Sequence, residues 1–174
     1  MTSASTAASG ETVPAETVPP ETVSAEVYQE LLRFYSRQMQ LMDDGAADDW
    51  AATFTEDGVF EQNVVPEPWR GRREIATRMR AAAARVAASQ LTRRHWIGMV
   101  SAQPRGGHGA DEVATRYYAV VFDTPRGGTA TVHLSTLAED VLVRAHGSWL
   151  VAHRRVLHDG TAWPPRFEPA ADPR

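Results

Sequence analysis

Residues 41–60 read LMDDGAADDWAATFTEDGVF, and their order decides the fold. Apolar Leu41 and Met42 close one helix, Asp43-Asp44-Gly45 form a polar stop, and residues 47–54 make a second, short helix. A second acidic turn, Glu56-Asp57-Gly58, then feeds a strand over 59–64. Trp50, Phe54, Val59 and Phe60 stand between the two acidic turns, so this stretch commits apolar surface to a core on both sides of a helix-to-strand switch. Helices therefore come first and a sheet follows.

Upstream, Ser24 is an N-cap with Glu26 in the first turn. Tyr28, Leu31, Tyr35, Met39 and Met42 recur at spacings of three and four, which predicts one helix with one apolar stripe. Before it, residues 1–24 hold the repeat ETVPA, ETVPP and ETVSA, starting at Glu11, Glu16 and Glu21. This segment is too polar and proline-rich to pack, and it reads as a disordered tail. Downstream, Pro66 and Pro68 interrupt the strand. Gly71 precedes a third helix over 72–88, with Ile75, Met79, Ala82 or Ala83, and Val86 facing inward.

The remainder is strand-like over 94–102, 112–123, 129–144 and 149–158, separated by glycine- and proline-bearing turns that join antiparallel neighbours. Three helices before four or five antiparallel strands give an α+β domain over 25–160, with the helices on one face of a curved sheet. Residues 161–174, rich in proline, read as an extended arm.

Composition removes several function classes. The chain of 174 residues is long enough for one core, and 43% of it is hydrophobic. It contains neither cysteine nor lysine, which excludes disulfides, thiolate metal sites, cysteine nucleophiles and Schiff-base lysines. The net charge of −4 with scattered arginines lacks the clustered basic face of a nucleic-acid binder. No apolar run approaches the roughly 18 residues that cross a bilayer, and the start lacks a signal-peptide pattern. The expectation is a soluble cytoplasmic protein with no nucleic-acid or membrane partner. Six histidines raise the question of a metal, but no HxH or HExxH spacing supports one. No phosphate loop, nucleotide fingerprint or GxSxG elbow occurs either, so no metal and no cofactor is expected.

The order of elements, together with DDGAADDW, FTEDGVF, the GRREI helix start and RRHWIG, resembles the nuclear transport factor 2-like (NTF2-like) superfamily over residues 25–160. Within it, the chain resembles the SnoaL-like branch, and most of all the SnoaL-like accessory proteins of actinorhodin-type aromatic polyketide pathways. The resemblance implies a cone-shaped barrel whose three helices and strongly curved antiparallel sheet enclose one deep pocket. It implies a homodimer joined through the outer sheet face and a small aromatic polyketide as ligand. It also implies cofactor-independent dehydration, cyclisation or isomerisation, for instance around formation of a pyran ring. Non-catalytic members of the superfamily leave a second reading open, a protein that shelters an unstable intermediate or serves as partner subunit of another enzyme.

Arg93 and His95 lie two apart on a strand and so share a face. Histidine carries protons near neutral pH, and arginine holds a carboxylate or a developing oxyanion. The scytalone dehydratase pattern has a catalytic histidine at the place of His95. A structural reading, with His95 bound to backbone and Arg93 in solvent, stands beside it. Asp123 matches a second histidine of that pattern; it either assists His95 or merely begins the Asp-Thr-Pro turn. The dehydratase aspartate position is Ala46 here, so Asp44 is the nearby replacement, against the simpler reading of a solvated turn. Tyr117, Trp69, Trp96, His158, Met79 and Phe60 complete the expected lining of a pocket for flat aromatic ligands, although each suits a core equally well.

Overall fold

The computed structural model describes residues 22–105 and 111–162. Residues 1–21 of the expected 1–24 tail, His108, and residues 163–174 of the expected 161–174 arm lie outside the described residues.

Helix α1, Ala25–Asp43, starts where Ser24 accepts a hydrogen bond from the Val27 amide at 3.3 Å. It stops at Gly45, whose φ of +72° suits a residue without a Cβ. Its buried stripe is Val27, Leu31, Tyr35, Gln38 and Met39, with Tyr28 and Met42 half-buried at its margin. Helix α2, Ala47–Ala52, buries Trp50 and Ala51 completely. Helix α3, Arg72–Ala88, follows Gly71 and buries Ile75 and Ala76. Met79, Ala82, Ala83 and Val86 on the same helix are only half-buried, because they line a cavity between the helix and the sheet.

Six strands form one sheet: β1 Phe54–Gln62, β2 Trp69–Arg70, β3 Leu91–Pro104, β4 Glu112–Pro125, β5 Thr131–Ala145 and β6 Ser148–His158. Their spatial order is β2-β1-β6-β5-β4-β3. The sheet is mixed, which corrects the all-antiparallel expectation. Strands β3 to β6 are a meander of antiparallel neighbours, but β1 pairs in parallel with β6. Tight turns impose antiparallel pairing only on the strands they join. β1 reaches β6 through α3 and the whole meander, so its direction is free of that rule.

Nor does the sheet close into a barrel. β2 and β3 remain as its two edges, and the helices cover the concave side between them. Register shifts interrupt the ladders at Gly98/Ser101 in β3, at Val121/Phe122 in the pairing with β5, and at Val141/Leu142 in the pairing with β6. Each extra residue bends its strand, and together they curl the sheet around α1. In β3 the irregularity contains Met99 at φ +54°. It moves the inward face from the odd residues Arg93, His95 and Ile97 to the even residues Val100 and Ala102.

The acidic turn 56–58 also differs from expectation. It lies inside β1 as an irregularity between Phe54 and Val59, and Phe54 belongs to the strand by pairing with Val151. A Cβ on Gly58 would meet Phe54 Cβ and Thr55 O at 3.1 Å, closer than ordinary van der Waals contact, so the kink favours glycine.

Candidate functional site

A cavity of about 670 Å³ lies between the sheet and the helices. Its walls come from Met39 and Met42 of α1, Met79 and Val86 of α3, Phe60 of β1, Trp69 of β2, and Ala119, Val121 and Val156 of the sheet. Such a volume with mostly apolar walls suits a flat ligand of two or three fused rings.

Polar groups enter this wall at three places. The first is built by β3 and the end of α1. Alternation along β3 turns His95 inward, and the last residue of α1 brings Asp43 beside it. His95 Nδ1 lies 2.6 Å from Asp43 Oδ1, and the His95 backbone amide donates to the same carboxylate at 3.2 Å. With the carboxylate ionised, the proton sits on Nδ1 and the Nε2 lone pair is left to act. Among the described residues, Nε2 has no hydrogen-bond partner. Both side chains are mostly withdrawn from solvent. This arrangement can take a proton from a bound molecule and return it elsewhere, with Asp43 fixing the ring and stabilising its charged form.

Arg93 and Asp123 form the second. Arg93 Nε donates to Asp123 Oδ1 at 2.8 Å and Nη2 to Oδ2 at 2.7 Å, a two-bond pair across neighbouring strands. Hydrogen bonding from Arg93 holds the Asp123 carboxyl below the usual carboxylate range, although partial burial works the other way. His133 Nδ1 stands 3.5 Å from the same carboxylate. Arg93 reaches the cavity wall, whereas Asp123 is outside it, fully engaged by arginine. His95 therefore hydrogen-bonds to Asp43 rather than to Asp123, whose two carboxylate oxygens are both engaged by Arg93.

The third lies deepest. Arg154 of β6 is 2% exposed and donates from Nε to Asp140 Oδ1 at 2.8 Å and from Nη2 to Asp140 Oδ2 at 2.6 Å and Gln38 Oε1 at 2.7 Å. Tyr35 donates to Asp140 Oδ2 at 2.9 Å and lies 2.5 Å from the Thr115 hydroxyl. Burial, the largest single influence, would lower the pKa of Arg154, but the charge and hydrogen bonds of Asp140 together with the nearby Tyr117 and Tyr35 outweigh it, so the guanidinium remains charged. Tyr117 lies against this cluster with its ring centroid 5.8 Å from Arg154 Cζ. Burial pushes its ionisation far above the ordinary phenol range.

Among the other expected residues, Phe60, Trp69, Met79, Tyr117 and His158 all line the cavity. His158 Nε2 lies 3.2 Å from Gln62 Oε1, and burial lowers its pKa. Asp44 also lines the cavity, but it is Asp43 that meets His95. Trp96 does not line it. Standing between His95 and Ile97, it projects from the opposite face of the sheet and is 72% exposed.

Sequence reasoning missed Asp43 as partner of His95, because the turn offered four acids and one helical step of about 100° separates inward from outward. It also missed the role of Arg154. Counting back in twos from His158 through Val156 reaches Arg154, and a lone arginine on an inward face was the available signal. Among the described residues, no three His, Asp or Glu side chains gather as metal ligands.

Comparison with known proteins gives this geometry its relatives. No curated protein sequence matches the chain. The solved structure of Aln2 from a Streptomyces species is similar over 80% of this chain and 95% of its own, with 32% identity and a TM-score of 0.72. ActVI-ORFA from Streptomyces coelicolor has 29% identity and a TM-score of 0.72, covering 80% of this chain and 99% of its own. A protein from Catenulispora acidiphila, solved in complex with S-DNPA, has 33% identity and a TM-score of 0.68 over 78% of this chain and 96% of its own. The architecture is NTF2-like. A family model for the SnoaL-like domain matches residues 23–155, spanning both the helices and the sheet that build the cavity. The chain belongs to the SnoaL-like family.

Proposed function

We propose that the protein acts in aromatic polyketide biosynthesis, on a late polycyclic intermediate, by acid/base chemistry that needs no cofactor. The observation that carries this reading is the His95–Asp43 pair, with Nδ1 held at 2.6 Å, set in the wall of a largely apolar cavity of about 670 Å³. Apolar walls take flat rings by burial, and one oriented imidazole moves a proton beside a carbonyl or hydroxyl. Dehydration, cyclisation and isomerisation all pass through an enol or enolate, so one such base serves any of them. The similarity to Aln2, to ActVI-ORFA and to a protein solved with S-DNPA supports a ligand of this kind.

In this reading His95 is the proton carrier and Asp43 orients it. Arg93, tied to Asp123, shapes the rim. The protein works in the cytoplasm as a homodimer joined through the outer sheet face, where Trp96, Met99, Tyr118 and Val132 are exposed among the strands. Sedimentation of the purified chain as a monomer at micromolar concentration would remove the dimer from the account.

The test of the reaction is incubation of purified protein with a late aromatic polyketide intermediate, followed by chromatography. His95→Ala is expected to lower conversion by about 10²- to 10⁴-fold while binding changes little. A second reading, that the protein shelters the intermediate without converting it, draws on Ala46, which stands where the dehydratase pattern keeps its aspartate. Tight binding with conversion unaffected by His95→Ala would decide for that second reading.

A further inference from the structure

The deepest part of the cavity holds two hydrogen-bond donors that no group among the described residues satisfies. Arg154 commits Nε and Nη2 to Asp140 and Gln38. Its Nη1 has no acceptor among the described residues, yet Arg154 is part of the cavity wall. The Tyr117 hydroxyl likewise has no partner among the described residues, and Tyr117 is 3% exposed and also part of the wall. Neither atom is sealed away from open space, as the buried indole nitrogen of Trp50 is. Buried polar groups normally find partners inside the protein, so two open donors on neighbouring side chains, with Arg154 Cζ 5.8 Å from the Tyr117 ring centroid, mark a place for an acceptor from outside.

The charge balance of the cluster selects which acceptor. Arg154 and Asp140 neutralise each other through two bonds at 2%/0% side-chain exposure. A carboxylate placed on Nη1 would leave one uncompensated negative charge where water does not reach, a costly arrangement. A carbonyl oxygen carries no net charge and has two lone pairs for two donors. It is gripped more tightly as it gains negative charge during enolisation. Burial raises the ionisation of Tyr117, so its hydroxyl keeps a proton to donate to an acceptor placed there.

We propose that Arg154 Nη1 and the Tyr117 hydroxyl together hold one ketone or quinone oxygen of the ligand at the buried end of the cavity, and that this end discriminates against carboxylate. The inference rests on the reading of the cavity as the site for a flat polycyclic ligand. It orients that ligand with its carbonyl inward, leaving any acidic side chain at the rim near Arg93, Arg94 and Arg85.

Isothermal titration with three probes of similar shape tests this: 1,4-naphthoquinone, 1-naphthoate and 2-methylnaphthalene. The chain has no cysteine or lysine, so covalent quinone addition to those side chains does not intrude. The expected result is quinone binding at least tenfold tighter than naphthoate. Tyr117→Phe removes only the hydroxyl and no protein hydrogen bond. It should weaken quinone binding about tenfold, leave methylnaphthalene within twofold, and raise the carbonyl stretching frequency of the bound quinone. Naphthoate binding as tightly as quinone would overturn the proposal, as would unchanged quinone affinity and carbonyl stretch in Tyr117→Phe. Methylnaphthalene binding without any quinone preference would sink the carbonyl site yet leave the apolar cavity reading intact. Binding of none of the three would contradict both.

Discussion

Two arginine–aspartate pairs of nearly identical geometry flank the cavity, and they differ in how much water reaches them. Arg154–Asp140 has side-chain exposures of 2%/0%, and Arg93–Asp123 has 25%/12%. The deep pair is one node of a network through Gln38, Tyr35 and Thr115, so helix α1 and the meander are fastened to each other through it. The outer pair links β3 to β4, with His133 of β5 at 3.5 Å, all neighbouring strands already joined by long antiparallel ladders. Geometry alone would rank the two alike. Burial and connectivity make the first a keystone of the fold and the second a local fitting of the rim.

The largest effect expected from this contrast is at Asp140. Asp140→Asn leaves the Arg154 charge buried without its counter-ion, and a loss of about 3–5 kcal/mol in urea unfolding is predicted. A loss as small as that of a surface substitution would show that the two pairs are equivalent after all. Asp123→Asn, at the wetter pair, is expected to cost below about 1 kcal/mol at neutral pH.

The same substitution sharpens the comparison through pH. Hydrogen bonding from Arg93 holds Asp123 below its unfolded value of 3.8. The unfolded chain therefore binds the proton more readily, and Asp123 contributes stability that is present above pH 3.8 and lost as pH falls through the lower folded value. Asp123→Asn should flatten that part of the acid limb, measured as the urea midpoint against pH from about 5 down to about 2. An acid limb identical to that of the parent protein would contradict the assignment.

How much of this is legible in the sequence follows from particular residues. The third helix can be read over its observed span, Arg72–Ala88, because Gly71 and the Ile75 to Val86 spacing are local signals. The long strands are legible for the same reason, since alternation and turn residues need no distant partner. Strand β2, only Trp69–Arg70, carries too few residues for any period, and the parallel pairing of β1 with β6 depends on contacts far apart along the chain, such as Phe60 with Arg154.

At the candidate site, Arg93 and His95 can be placed on one face by alternation, while the same rule, applied strictly, sends Trp96 to the other. Asp43 is one of four acids in a turn, and only the exact end of α1 distinguishes it from Asp44. Arg154 is visible as a residue but not as part of a cluster, because its partners Gln38 and Asp140 come from α1 and β5. Local chemistry can be read along a chain; a network that closes across layers cannot.

The central claim is that His95, oriented by Asp43, moves a proton inside the cavity. Its most direct test is the rate at which Asp43→Asn converts a late polycyclic intermediate, with ligand affinity measured in parallel. An amide in place of the carboxylate no longer anchors the Nδ1–H form or stabilises the charged ring. The account predicts a fall in rate of about 10²- to 10⁴-fold at nearly unchanged affinity. Conversion at the parental rate with Asp43→Asn would contradict it.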